Sequence, residues 1–334
     1  MDLVDTLRNK IEALGEQDCV PGLRAVLLHI VTAFRHLSRG QELIDDTAFT
    51  DAIYRTNQAF EGSVKEAYRV LASKNPDRKK PHEIEQYLEE HSVFRPRVLS
   101  QLTNYRTNWR NPSAHDYQLD FDESEAFLAI ISVSAFSCLL LDQITERVAF
   151  NAGQAEAKRE EQGAVDQLES ARERGLFDLI VQILLNFSAH SCLANNSAPT
   201  ARETQILGGI TGYISSAAGD LSVSTYDEAV QSGADLLISD HRSTVALEVT
   251  MASPLVHRKI ESSVRYLLSV VRKSPGVEAG ILVIWSSEPL VQTELNLPIA
   301  GERISVLAPE RLRIPTDLLA PTRMTDIPEP LAMV

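Results

Sequence analysis

Hydrophobic residues in the first 150 positions recur with the period of an α-helix. Between Pro21 and Gly40 they are spaced three or four residues apart, which places them on one helical face: Leu23, Val26, Leu27, Ile30, Val31, Phe34 and Leu37. The same pattern predicts further helices over 49–73, 83–90, 97–111 and 122–146. The helix over 97–111 is expected to end before Pro112, because proline lacks the N–H that a helix interior needs. Helices of this length with short connections predict an all-α bundle over residues 1–150.

The pattern changes after residue 150. Residues 151–174 are densely charged and predict a solvated helix that links two domains. Beyond them, an apolar helix over 176–187 precedes short β-branched runs, and this alternation predicts an α/β domain with a mixed sheet over 175–307. Its predicted elements are strands at 235–239, 244–250 and 279–285, with a helix over 255–273 between the last two. The five prolines after residue 308 predict an extended tail over 308–334.

Composition narrows the class of protein. With 44% apolar residues, the 334-residue chain can build real cores, which excludes general disorder. The net charge of −14 argues against a protein that coats nucleic acid indiscriminately, but it leaves room for a local basic groove. Three widely spaced cysteines exclude a disulfide scaffold. The longest apolar run, 127–141, is too short to span a bilayer, and the sequence near Met1 does not look like a signal peptide, so we expect a cytoplasmic protein without a membrane anchor.

A first group of chemically capable residues lies at the predicted junction after the 97–111 helix. Arg110, Asn111 and His115 stand in the segment Trp109-Arg-Asn-Pro-Ser-Ala-His115. If Pro112 breaks the helix, His115 is released from helical geometry and can fold back beside Arg110. The imidazole can exchange protons near neutral pH, and the guanidinium offers a permanent planar cation to a phosphate.

This segment resembles the HEPN domain family, whose motif is an arginine, a polar residue, three further residues and a histidine before the last helix of an all-α bundle. The resemblance covers about residues 20–146. It implies metal-independent RNA cleavage with no cofactor, with Arg110, His115 and Asn111 as catalytic residues. It also implies a homodimer through the helical bundle, and an effector role in a bacterial defence or toxin system with a partner protein encoded alongside. The polar stretch from Arg55 to Glu61 is expected near the site.

Three further residues are candidates for binding the RNA. Arg106 carries a cation one helical turn before Arg110, and Tyr105 and Trp109 carry rings on which bases can stack. The two aromatic residues are four positions apart, and residues with that spacing also pack together in a helical core. Both interpretations stay open at this point.

A second group lies in the α/β domain. Residues 235–239 and 244–250 predict a β-hairpin with His241 and Arg242 as its two-residue loop. Asp235 and Glu248 are then directly opposed across the hairpin, with Cβ atoms roughly 5 Å apart. Two carboxylates that close repel each other unless a cation lies between them, and Mg²⁺ suits that position.

The hairpin and its flanking elements resemble the PD-(D/E)xK restriction-endonuclease-like fold over about residues 172–286. That resemblance implies a Mg²⁺ site at Asp235 and Glu248, with Glu203 and Lys259 as candidate helpers, and it makes DNA a second expected substrate. The sequence departs from the family pattern at Thr250, which occupies the position of the family's lysine.

Three functions therefore remain open from sequence alone. The first is an endoribonuclease acting through Arg110 and His115, with the α/β domain recognising substrate or partner. The second is a Mg²⁺-dependent DNA nuclease acting through the α/β domain, with the helical bundle as a dimerisation module. The third is a non-enzymatic sensor or adaptor in which both sites are vestigial.

Overall fold

The computed structural model of the chain describes residues 2–115, 119–159, 162–190, 199–225, 233–252, 256–286, 288–297 and 302–319. The described residues form two compact units. The first contains those within 1–152 and 193–212, and the second those within 153–192 and 213–334. The N-terminal half is helical and the C-terminal half carries a mixed sheet with helices, which confirms the general fold class predicted from the sequence.

The first unit is built from long helices that share one apolar core. Its largest buried side chains include Phe60, Tyr105 and Phe136, all at 0% exposure. In chain order the elements are α1 (Leu3–Glu12), α2 (Val20–Leu43), α3 (Thr47–Val70), α4 (Pro81–Glu90), α5 (Pro96–Tyr105), a π-helical turn (Arg106–Arg110), α6 (Asn111–His115) and α7 (Glu123–Ala157).

Helix α7 stands out by its length and its apolar composition. Its 35 residues are long and apolar enough to cross a membrane, and no other helix in the described ranges meets that test. Half of its most apolar window is buried within the protein. Such burial is also what the core helix of a soluble bundle shows, so the helix is compatible with a soluble protein.

The second unit contains three helices around the sheet, together with the end of a fourth that begins in the first unit. Strands form where β-branched residues alternate or run together, and helices where the apolar period is near 3.6. The elements are α8 (Gln162–Arg174), α9 (Leu176–His190), α10 (Pro199–Ala217), β1 (Ser222–Thr225), β2 (Leu236–Ser239), β3 (Thr244–Met251), α11 (Val256–Lys273), β4 (Val277–Trp285), β5 (Leu290–Glu294) and β6 (Arg303–Pro309). Helix α10 crosses the division between the units after Gly212.

The six strands form one mixed sheet in the order β1-β2-β3-β4-β6-β5. Strands β1, β2 and β3 are antiparallel neighbours, β3 runs parallel to β4, and β4 runs parallel to β6. Helix α11 connects the parallel pair β3 and β4, because a parallel pair needs a crossover of this length. Strand β5 closes the sheet antiparallel to β6.

Helices pack against the sheet on two faces. Helix α11 packs on one face, where Leu282 and Ile284 of β4 belong to its buried cluster. Trp285 points to the opposite face, since successive strand side chains alternate, and its ring lies 5.3 Å from that of Phe187 in α9. Arg303 of β6 holds α9 to that face through two hydrogen bonds to Asp178, of 2.9 and 3.0 Å.

Two segments expected to be solvated contribute to packing. In α8, the helix predicted as a linker, Leu168 and Ala171 are buried, and α8 contacts α9. At the other end of the domain, β6 includes Pro309, and the residues after it pack against the sheet core through Leu312, Ile314, Leu318 and Leu319. Residues 320–334 of the predicted tail lie outside the described part of the chain.

Two glycines allow α10 to approach α7 closely. A Cβ at Gly208 would lie 2.5 Å from the carbonyl oxygen of Glu146, and one at Gly212 would lie 2.0 Å from that of Phe150. Both distances are below any real van der Waals contact. Glycine is therefore required at these two positions by packing between backbones.

Candidate functional site

The backbone around Arg110 stays helical through Pro112. The π-helical turn Arg106–Arg110 follows α5 directly, and α6 continues from Asn111 to His115. The predicted helix end before Pro112 is therefore wrong. The N–H of Asn111 bonds to the carbonyl of Arg106, five residues back, so the wider turn displaces the carbonyls that the proline ring would otherwise meet.

This correction changes how Arg110 and His115 relate to each other. In a helix each residue advances by about 100°, so two backbone positions five residues apart differ by roughly 140° around the axis. The backbone of one chain thus does not fold His115 back beside Arg110 as the sequence analysis expected. The side chain of His115 lies outside the described part of the structure.

Arg110 is held by its neighbour in the motif. Its side chain is half-buried, and its Nη1 donates a hydrogen bond of 3.0 Å to Oδ1 of Asn111. Ser113 donates from its Oγ to the carbonyl of Arg110 at 3.1 Å. Asn111 thus orients the guanidinium, and Ser113 ties the side-chain network to the backbone that carries it.

Helix α3 anchors this segment from the side. Asn57 donates from Nδ2 to Oγ of Ser113 at 2.7 Å, and its Oδ1 accepts a hydrogen bond of 2.9 Å from the hydroxyl of Tyr105. Tyr105 also contacts Oγ1 of Thr56 at 2.7 Å. Asn57 belongs to the polar stretch from Arg55 to Glu61, so that stretch reaches the motif through one amide.

Of the two interpretations left open for Tyr105, base stacking and core packing, the structure favours core packing. The residue is 0% exposed, and its ring stacks on Phe60 with centroids 4.9 Å apart. Burial raises the pKa of its hydroxyl well above the usual range. Because no ligand reaches a fully buried ring, Tyr105 is a core residue. Trp109 is half-buried and packs against the same core, which leaves only part of its ring accessible.

Acidic residues of α4 flank the two arginines. Arg106 lies 2.5 Å from Oε1 of Glu89 and 3.4 Å from Oε2 of Glu85. Burial raises the pKa of Glu85, and the positive charges of Arg110 and Arg106 oppose that rise. Arg106 is therefore committed to ion pairs within the unit, and Glu85 supplies a counter-charge near Arg110.

Glu85 and Ser113 are the site residues that the sequence analysis missed. Glu85 is a 5% exposed carboxylate on a short helix, and Ser113 was noted only as a variable position of the motif. Thr56 and Asn57 form a polar pair within the otherwise apolar face of α3. Because buried polar groups require partners, this pair could have indicated polar residues packed against α3.

In the second unit, the predicted hairpin register is confirmed. Leu236 pairs with Leu247 and Ser239 with Thr244, and Asp240 donates its N–H to the carbonyl of Ser243. Pairing in this register ends at Leu236 and Leu247. The N–H of Asp235 bonds to the carbonyl of Leu247, so the predicted opposition of Asp235 and Glu248 is not continued by the ladder. His241 and Arg242 form the loop between the paired residues.

Asp235 has a structural partner of its own. Its Oδ2 accepts a hydrogen bond of 2.7 Å from the N–H of Val249, and its own N–H bonds to the carbonyl of Leu247. The carboxylate thus takes a ladder position that a main-chain carbonyl would otherwise fill. Burial raises the pKa of Asp235, while the hydrogen bond from Val249 opposes the rise.

The two predicted helpers are helical residues. Glu203 belongs to α10 within the first unit, and Lys259 is an exposed residue of α11 in the second. Across the described residues, no three His, Cys, Asp or Glu side chains are grouped so as to hold a metal ion. Asp235 and Glu248 fit Mg²⁺ by ligand type, since both offer carboxylate oxygens, but they supply only a pair.

The chain was compared with known protein families, with curated proteins and with solved structures, and none of the three comparisons found a match.

Proposed function

We propose that the protein is a metal-independent endoribonuclease of the HEPN type. Arg110 and His115 are its catalytic residues, and Asn111 is a positioning residue. One observation carries the proposal: Asn111 holds the half-buried guanidinium of Arg110 in a segment that α3 anchors through Asn57 and Ser113. A polar network built around one arginine in an otherwise apolar bundle suits phosphate recognition.

The chemistry needs few protein groups because RNA carries its own nucleophile. The 2′-oxygen bonds to the adjacent phosphorus, the bond from phosphorus to the 5′-oxygen breaks, and a cyclic phosphate remains. The proton leaves the 2′-hydroxyl, and another is taken up by the departing 5′-oxygen. The imidazole of His115 exchanges one of these protons, while Arg110 balances the charge that grows on the phosphate.

The site is completed by a second copy of the chain. Positions 110 and 115 differ by roughly 140° around one helix, so Arg110 of one protomer acts with the histidine of its partner. The start of α7 offers an apolar surface for such a homodimer. Phe127, Leu128 and Ile131 lie on one helical face and are 47%, 51% and 37% exposed, which is unusual for three large apolar side chains so close together.

The first experiment assays cleavage of labelled RNA by the purified chain. Cleavage should persist in EDTA and fall by about 10²–10⁴-fold in His115→Ala, the range that a lost general acid or base produces. His91→Ala is the matched control, because His91 lies in the same unit, where its ring stacks on Tyr87. Cleavage lost in EDTA, or equal loss in both variants, contradicts the proposal.

A second experiment tests the shared site directly. Arg110→Ala and His115→Ala proteins are each inactive, and mixing them lets protomers exchange. A shared site regenerates one intact arginine and histidine pair in each mixed dimer, so about a quarter of wild-type activity should return after random exchange. A site contained within one chain regenerates nothing, and that result rules out the shared arrangement.

The setting of this activity is part of the proposal. The HEPN resemblance implies an effector of a bacterial defence or toxin system with a partner protein, and the proposed location is the cytoplasm. The α/β unit then recognises the substrate or that partner. Expression of the wild-type chain should arrest growth of a bacterial host, and His115→Ala should relieve the arrest.

A second candidate function is a Mg²⁺-dependent DNA nuclease acting through the α/β unit. The observation that favours it is the hairpin itself, which carries Asp235 just before β2 and Glu248 within the neighbouring strand β3. These two residues would hold the ion, which would supply positive charge to a phosphate. Cleavage of DNA that requires Mg²⁺, disappears in Glu248→Ala and survives in His115→Ala would replace the first proposal with this one. Absence of both activities would indicate the sensor or adaptor.

A further inference from the structure

The first unit contains a polar cleft that the proposed ribonuclease does not use. The cleft measures about 450 Å³ and lies where the α1–α2 turn, the end of α3 and the late part of α7 meet. Such a volume falls within the range of sites for small molecules. Its lining includes the polar or charged side chains of Gln17, Asp18, Arg69, Ser73, Lys74 and Asn151.

Positive charge in this cleft is only partly compensated. The Nε of Arg69 donates to Oε2 of Glu66 at 3.0 Å. Its Nη2 lies 4.0 Å from Oδ1 of the exposed Asp77, a distance beyond hydrogen-bond range, and its two terminal nitrogens donate no hydrogen bond to any described residue. The ammonium of Lys74 lies 4.9 Å from the ring centroid of Tyr87, and no carboxylate of the described chain lies within 4.0 Å of it. The terminal nitrogens of Arg69 and the ammonium of Lys74 together carry seven N–H groups that donate no hydrogen bond to a described residue.

Glu66 fixes the position of the Arg69 guanidinium through the hydrogen bond between them. Its side chain is buried, and the ideal Cβ position at Gly22 would lie 2.1 Å from its Oε1, so the carboxylate is wedged against the start of α2. A carboxylate fixed in this way fixes the guanidinium bonded to it. Arg69 is thus pre-organised, with its terminal fork left for a ligand, which lowers the entropy cost of binding.

The remaining lining indicates what else the ligand carries. The amides of Gln17 and Asn151 make no hydrogen bond to described residues, and each offers both a donor and an acceptor. Asp18 is an exposed carboxylate, which accepts hydrogen bonds from hydroxyl or amino groups. Cys19 also lines the cleft, but burial raises the pKa of its thiol to about 11, so it stays protonated and unreactive.

We propose that this cleft binds the phosphate monoester of a ribonucleotide, with Arg69 and Lys74 on the phosphate and Asp18, Gln17 and Asn151 on the ribose or base. The chemistry comes either from a free nucleoside monophosphate or from the 5′-phosphorylated end of an RNA chain. The site is separate from Arg110, so the proposal stands whether or not the protein cleaves RNA.

The test is isothermal titration calorimetry with the full chain and AMP. AMP should bind saturably at one site per chain, and adenosine, which lacks the phosphate, should bind at least about tenfold more weakly. Lys74→Gln should weaken AMP binding about tenfold, and Asn151→Ala, a change on another helix, about threefold. Lys79→Gln is the matched control, since Lys79 is exposed, lies five residues from Lys74 and does not line the cleft.

Other outcomes separate the sources and the failures. A 5′-phosphorylated 2′-O-methyl oligonucleotide, which the proposed ribonuclease cannot cleave, should bind more tightly than AMP if the ligand is an RNA end, and more weakly if it is a free nucleotide. Absence of saturable AMP binding overturns the proposal. The proposal is also overturned if Lys74→Gln and Lys79→Gln change the affinity for AMP equally, or if adenosine binds as tightly as AMP. Either result would show that the cleft holds no phosphate site.

Discussion

The two candidate sites differ in how far local sequence determined their geometry. At the hairpin, the predicted register was confirmed from Ser239 and Thr244 back to Leu236 and Leu247, one residue short of Asp235 and Glu248. At the motif, the predicted helix break at Pro112 was wrong, and the chain passes through it as a π-helical turn. A two-residue loop and the alternation of a strand leave little freedom, whereas the effect of a proline on a helix depends on the turn before it.

The largest effect that tests this comparison concerns Tyr105. If the motif is anchored from the core, Tyr105→Ala should lower the free energy of unfolding by about 3–5 kcal/mol, the range for loss of a buried aromatic ring. Tyr105→Phe keeps the ring and loses only the hydroxyl, at a cost of about 1–3 kcal/mol, because Asn57 and Thr56 lose a partner. Urea unfolding measures both. A loss of less than about 1 kcal/mol for Tyr105→Ala would contradict the burial of this ring in the core.

The next effect concerns Asp235 and the edge of the hairpin. Asp235→Ala leaves the N–H of Val249 without its acceptor and should cost about 1–3 kcal/mol. Asp235→Asn keeps an acceptor and should be nearly neutral at pH 7. Urea unfolding at pH 7 compares the two variants.

The same residue predicts a pH dependence. Burial raises the pKa of Asp235 in the folded state, so the stability that this carboxyl contributes is fully present below its unfolded pKa of about 3.9. That contribution is lost as the pH rises through the higher folded value. The wild type should therefore lose stability relative to Asp235→Asn between pH 4 and pH 7. The opposite trend would mean that a cation lies beside the carboxylate.

The smallest effect concerns Pro112. A proline inside a regular α-helix costs about 3 kcal/mol, and its replacement by alanine would recover that amount. If the π-helical turn already accommodates the ring, Pro112→Ala should change the free energy of unfolding by less than about 1 kcal/mol. A gain near 3 kcal/mol would show that the proline strains a regular helix, and the comparison between the two sites would lose its basis.

Much of the fold was accessible from sequence because its signals are periodic. The regular spacing of apolar residues in α2 indicates a buried helical face. The spacing of Val98, Leu102 and Tyr105 in α5 indicates another, and these three residues are buried. Strands β1, β5 and β6 were missed. Strand β1 is four residues of mostly polar sequence, and β6 lies just before a proline-rich stretch, so neither carries a clear alternation.

The site geometry was less accessible because it depends on contacts distant in sequence. The hydrogen bond from Asn57 to Ser113 spans 56 positions, and the pairing of Arg106 with Glu85 spans 21. No local pattern reports which side chain of α3 or α4 meets the motif. Local signals thus place elements, while the environment of Arg110 depends on how those elements dock.

The π-helical turn amounts to a single extra residue absorbed without breaking the helix. Because the wide turn takes up the extra residue, the residues after it face as they would in a regular α-helix that is one residue shorter. Deleting one residue between 106 and 109 should therefore restore a regular helix and leave Arg110 facing the same neighbours. A substitution that made the turn α-helical without shortening the chain would instead rotate the guanidinium by about 100°.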